Sequence, residues 1–98
     1  MAVNSHLSCD FMVEKTGPRL RANRLQQETL CKLFHRVRAE AGLSQEALAK
    51  KLGKPKSFVS KYESGARRLD LLELRDVCIA MGVSVVAFVR RFDKLIRE

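Results

Sequence analysis

The stretch from Ser44 to Gly65, SQEALAKKLGKPKSFVSKYESG, constrains this chain more than any other. It reads as two short helices joined by a tight turn. Leu48, Leu52, Val59 and Tyr62 supply the apolar positions, and Ala49 is small where one helix must let the other cross closely. Ser44 is a good N-cap for the first of the pair, about Gln45 to Leu52. Gly53 falls at the turn, where the backbone needs a positive φ that only glycine adopts cheaply. Pro55 opens the second, about Pro55 to Ser64, because its ring presets φ and its missing N–H costs nothing in a first turn.

The flanking sequence supplies three more helices. Asn23 with Gln26 three residues later has the form of a capping box. It predicts a first helix from about Arg24 to Ala41, with Leu30, Leu33, Phe34, Val37 and Ala41 as its buried stripe and Gly42 as its end. Asp70 with Glu73 makes a second capping box, opening a helix whose apolar face is Leu71, Leu74, Val77, Cys78 and Met81. Gly82 ends that helix and Ser84 caps the last, which carries a wide stripe of Val85, Phe88, Val89, Phe92, Leu95 and Ile96. Residues 1–22 show no sustained periodicity and contain the breaker pair Gly17-Pro18. The expected organisation is a mobile basic tail over 1–22 and a compact, all-α, five-helix domain over 23–98.

At 98 residues the chain holds one small domain, with no room for a separate effector domain. Nineteen basic residues against eleven acidic ones give a net charge of +8, which favours an anionic partner, nucleic acid first. The three cysteines, Cys9, Cys31 and Cys78, are an odd number without a CxxC pair. They fit a reducing cytosol better than a disulfide scaffold. His6 and Cys9 are too few for a metal site, and His35 has no recognisable acid or nucleophile partner. No phosphate-binding glycine loop is present either, so neither an enzyme nor a cofactor is expected. No apolar run is long enough for a membrane span, and the N-terminus lacks the apolar core of a signal peptide, so the expected location is the cytoplasm.

Three pieces in order, LFHRVRAEAGLSQEALAKKLG, SFVSKYESGARRLDLLEL and AMGVSVVAFV, resemble the lambda-repressor-like, Cro/XRE-type helix-turn-helix family of DNA-binding regulators. The linked motifs are Leu43-Ser44-Gln45, the helix end Tyr62-Glu63-Ser64-Gly65 and the turn Gly82-Val83-Ser84. The resemblance implies that the helix at Pro55 to Ser64 lies in the DNA major groove. It also implies that Arg38 pairs with Glu63, the glutamate closing that helix, an arrangement that can hold Arg38 toward a phosphate. Two departures stand out. Pro55 occupies a place where many members carry a Ser or Thr cap, and Lys54 one where an uncharged residue is common.

On this helix Lys56, Ser57, Ser60, Lys61 and Ser64 share one polar arc, with Glu63 at its edge. Lys56, Ser57 and Lys61 are the expected base-facing residues, lysine donating to guanine O6 and N7. Ser60 is expected at a phosphate or sugar. The other expected phosphate-facing residues are Arg38, Ser44, Gln45, Lys54, Arg67 and Arg68. Gln45 qualifies through the free N–H groups of its helix start, and the two arginines through the loop after the recognition helix. Phe58 either closes the core beside Tyr62 or touches a thymine methyl, and the core placement is favoured.

The leading expectation is therefore a sequence-specific transcriptional regulator of double-stranded DNA, a repressor by promoter occupancy. Two alternatives stand beside it. One is the antitoxin of a toxin–antitoxin pair, with the tail as protein-binding segment. The other is an interaction module without DNA binding, against which the cationic arc counts. The tail, whose end Lys15, Arg19, Arg21 and Arg24 make basic, reads either as an arm following a DNA groove or as a solvated end. The end of the last helix, Phe92 to Ile96, is covered either by a second copy in a homodimer or by the first helix.

Overall fold

A computed structural model describes residues 17–98, with side chains from residue 23 onward. The segment 1–16, and with it most of the expected tail, lies outside the described residues. Five helices make up the described chain: α1 Gly17–Glu40, α2 Gln45–Leu52, α3 Lys56–Ser64, α4 Leu71–Ala80 and α5 Val85–Arg97. The principal contacts run in a ring. α1 packs on α3 and α5, α2 packs on α3 and α4, and α4 packs on α5.

The helix starts follow their caps. Ser44, Asp70 and Ser84 stand in extended conformation, and each accepts a hydrogen bond from a backbone N–H three residues on. At Asp70 the box is reciprocal: the Glu73 N–H donates to the Asp70 carboxylate at 2.7 Å, and the Asp70 N–H donates to Glu73 Oε1 at 3.0 Å. Gly53 takes φ 68° between α2 and α3, and Gly65 takes φ 88° where α3 ends. A side chain at either would be strained by the backbone conformation itself.

α1 departs from expectation at its start. It runs back through Asn23 to Gly17, so Asn23 is inside the helix and caps nothing. The pair Gly17-Pro18 is part of the first turn rather than a break, because proline without an N–H is harmless there.

The core is Leu33, Phe34 and Val37 of α1, Leu48 and Ala49 of α2, Val59 and Tyr62 of α3, Val77 and Cys78 of α4, Met81 and Phe88. Aromatic contacts tie three helices together. Phe34 stacks on Phe88 at 5.0 Å and meets Tyr62 edge-on at 4.8 Å, and Tyr62 meets Phe58 at 5.6 Å. Phe58 is half-buried against the core, the placement favoured from sequence. Burial pushes the Cys78 thiol up to about 11, so it sits as a small apolar group.

Two expected core positions face outward. Ala41 is exposed just past the end of α1. Leu71, the first residue of α4, is 71 % exposed because it lies beyond the reach of the core. The stripe of α5 is wider than the core uses: Phe88 is buried and Phe92 half-buried, while Val89 and Leu95 are exposed.

Tyr62 is 2 % exposed, and its hydroxyl has no hydrogen-bond partner among the described residues. An unpaired buried hydroxyl costs more than the methine hydrogen that would replace it. Tyr62→Phe is therefore expected to raise stability by about 1 kcal/mol. Urea unfolding measures this, and a loss of stability would show that the hydroxyl is satisfied.

Candidate nucleic-acid interface

α3 is fixed on its inner side by Val59 and Tyr62, and its outer side is open. Lys56, Ser57, Lys61 and Ser64 are exposed and Ser60 is half-buried. Pro55 precedes the helix in extended conformation, and no side chain caps the first turn. At the other end the Ser64 hydroxyl donates to the Lys61 carbonyl at 3.1 Å.

The expected Arg38–Glu63 pair is present and bidentate. Arg38 Nε donates to Glu63 Oε2 at 2.7 Å and Nη2 donates to Oε1 at 3.0 Å. Arg38 Nη1 donates to the Leu43 carbonyl at 2.9 Å, and Nη2 lies 3.0 Å from His35 Nδ1. These bonds commit all but one of the guanidinium N–H groups. Arg38 is 8 % exposed and the Glu63 side chain 6 %. Burial pushes the Glu63 carboxyl upward, but the hydrogen bonds from Arg38 and Gln45 outweigh it and hold the group below the usual carboxylate range. The hydrogen bond to Glu63 likewise raises Arg38 against its own burial. Glu63 thus sits at the edge of the polar arc with its charge compensated inside the fold.

Gln45 joins the same cluster, its Nε2 donating to Glu63 Oε1 at 3.1 Å. One cluster therefore sets α1, the start of α2 and the end of α3 relative to one another. Ser44 uses its hydroxyl on the Ala47 N–H at 3.0 Å.

Beyond α3, the two loop arginines differ. Arg67 grips Glu73 with both nitrogens, at 3.1 and 2.8 Å, and its guanidinium carbon stands 4.9 Å from the Phe58 ring centroid. Lys54 Nζ stands 5.4 Å from the same centroid. One half-buried ring thus lies beside two cations that the sequence does not connect. Arg67 and the Asp70 N–H bring the Glu73 carboxyl down to about 2. Arg68 is exposed, with its guanidinium in no ion pair among the described residues.

Several of these contacts are not among the sequence expectations. Glu73, by its spacing half of a capping box, also fixes Arg67. The six-residue separation is no helical repeat, so no periodicity marks the pair. His35 approaches Arg38 one helical turn away, and that spacing could have suggested it. Among the described residues no group of three or more His, Cys, Asp or Glu could hold a metal ion. No described helix is long and apolar enough to cross a membrane.

The helix-turn-helix family model matches residues 34–88, spanning the last two turns of α1 through the buried Phe88 of α5. Among solved structures, an XRE-family-like protein from Pseudomonas syringae pv. tomato is similar at 32% identity and a TM-score of 0.75. The match covers 82% of this chain and 98% of that one. The wild-type restriction-modification controller protein C.Esp1396I is similar at 26% identity and a TM-score of 0.68, over 74% of this chain and 96% of that one. The clp gene regulator ClgR from C. glutamicum is similar at 25% identity and a TM-score of 0.63, over 70% of this chain and 90% of that one. No curated protein matches the sequence.

Proposed function

The chain belongs to the Cro/XRE-type helix-turn-helix family, and from that premise we propose that it is a sequence-specific DNA-binding transcriptional regulator that represses by occupying its site. The observation that carries the reading is the outer face of α3. It presents Lys56, Ser57 and Lys61 to solvent, while the carboxylate at its edge, Glu63, is neutralised within the fold. Such a face suits base edges and phosphates, and the aromatic contacts hold it rigid.

In this reading Lys56, Ser57 and Lys61 face bases. Ser60, Ser44, Gln45, Lys54 and Arg68 meet the backbone around them. Arg67 is held by Glu73 and the buried Arg38 by Glu63, so in this reading each meets a phosphate only through the N–H groups that its carboxylate partner leaves free. The mechanism is binding, without chemistry or cofactor, in the cytoplasm where the DNA lies.

The regulator acts as a homodimer. Leu71 and Val86 are 71 % and 57 % exposed, and they line one groove of about 520 Å³ with Val85, Val89 and Phe92. Arg90 and Asp93 border the same groove. A twofold partner covers the apolar surface.

Selection of sites from random duplex DNA is expected to enrich a palindrome, bound far more tightly than scrambled DNA across a salt titration. Weak binding without an enriched sequence would overturn the reading. For the dimer, Val89→Asp is expected to sediment as a folded monomer and to lose cooperative binding to the two half-sites. A dimeric Val89→Asp protein would remove this face from the interface.

A further inference from the structure

We propose that α1 carries a second DNA contact surface, in which Lys32 and Arg36 seat the phosphate backbone of the strand met by the start of α2. The proposal rests on the DNA-binding reading and deepens it. A groove of about 600 Å³ runs between α1 and the recognition helix, and Lys32 and Arg36 form one wall. Gln45 of α2 and Ser60 and Ser64 of α3 line it across from them.

Three observations give the groove its sign and its ligand. Lys32 and Arg36 are one helical turn apart on the exposed side of α1, and neither is in an ion pair among the described residues. The one carboxylate lining the groove, Glu63, is bidentate to Arg38 and only 6 % exposed, so it does not cancel the two cations. The amide of Gln45 and the hydroxyls of Ser60 and Ser64 add neutral hydrogen-bonding groups, and Cys31 and the His35 ring complete the lining. Neutral polar groups facing two unpaired cations suit a phosphodiester, which brings charge and acceptor oxygens together.

Position selects DNA backbone over a free anion. The groove opens to solvent and shares Ser60 and Ser64 with the arc that enters the major groove in the proposed complex. A strand bordering that groove passes between α3 and α1. α1 then does more than support the motif. It widens the footprint by backbone contacts that are independent of sequence.

The test is a salt titration of binding to the selected palindrome and to scrambled DNA, using the whole chain. Lys32→Ala/Arg36→Ala is expected to weaken both alike, preserving discrimination. It should lower the slope of log K against log salt by about 1.8, an affinity loss about tenfold smaller than wild type's between about 50 and 200 mM salt. Both residues are exposed, so an unchanged helical circular dichroism spectrum and Tm are expected. Lys32→Arg/Arg36→Lys should restore the wild-type slope. Lys94→Ala/Arg97→Ala removes the same two charges from the end of α5 and should leave the slope nearly unchanged.

A wild-type slope in folded Lys32→Ala/Arg36→Ala, on DNA that wild type still selects, would overturn the α1 contact and spare the DNA-binding reading. An equal drop in the α5 variant would overturn it as diffuse charge. Failure of wild type to select any DNA would overturn both.

Discussion

Glu63→Ala is expected to destabilise the domain by about 3–5 kcal/mol, because it leaves the Arg38 guanidinium buried without its counter-ion. Arg38 is 8 % exposed, and the Leu43 carbonyl and His35 ring that remain beside it are not anions. A domain of this size has a total stability of only about 5–15 kcal/mol. The Tm should therefore fall by at least about 12 °C. Thermal unfolding followed by circular dichroism measures it. Replacing both partners with apolar residues of similar shape, as in Arg38→Met/Glu63→Leu, should cost far less, since neither charge is then stranded. A double variant as unstable as Glu63→Ala would mean that the pair stabilises outright, and a Tm unchanged in Glu63→Ala would show that Arg38 is not desolvated.

The same pair sets a pH dependence. The Glu63 carboxyl is held below its unfolded value, so the folded state binds its proton less readily than the unfolded state does. Its stabilisation is complete above the ordinary glutamate range and is lost as pH falls through the depressed folded value. Glu63→Gln, which keeps an acceptor for Arg38, should flatten that part of the acid limb while lowering stability at neutral pH.

Local backbone chemistry made much of the fold legible from the sequence. Ser44, Gly53, Asp70 and Ser84 mark helix ends through their own hydrogen bonds or φ angles, and those ends lie where they were expected. The start of α1 was misread for the same local reason. Asn23 and Gln26 have the spacing of a box, but a box works only where the chain upstream leaves the helix, and here the helix continues to Gly17. Leu71 failed differently: helical spacing places it on the core side, yet spacing does not say where a neighbouring helix ends. At the candidate site the arc of α3 followed from its 100° repeat. The Arg38–Glu63 pair came from family resemblance, because no periodicity connects residues 25 apart. The Glu73–Arg67 grip and the cations beside Phe58 depend on how the loop after α3 turns, which sequence spacing does not report.

Lys61→Glu is expected to reduce affinity for the selected site at least about a hundredfold, through loss of a base contact worth about 1–3 kcal/mol and repulsion from the DNA. Lys61 is exposed on the outer face of α3 and makes no ion pair among the described residues, so it is free to reach a base edge. The substitution also exchanges a cation for an anion in the last turn of the helix, where the dipole favours positive charge, at a cost of about 0.3–1 kcal/mol. That is small beside the binding effect, so the variant should stay folded with a Tm lowered by only a few degrees. Lys61→Arg separates charge from shape. It keeps the cation but replaces a mobile ammonium with a planar fork, so it should retain binding to scrambled DNA while changing the base preferred at its position. Binding isotherms on the selected palindrome and on single-base variants decide the matter. If folded Lys61→Glu binds the palindrome as wild type does, Lys61 is not at the interface, and α3 enters the groove by a different edge.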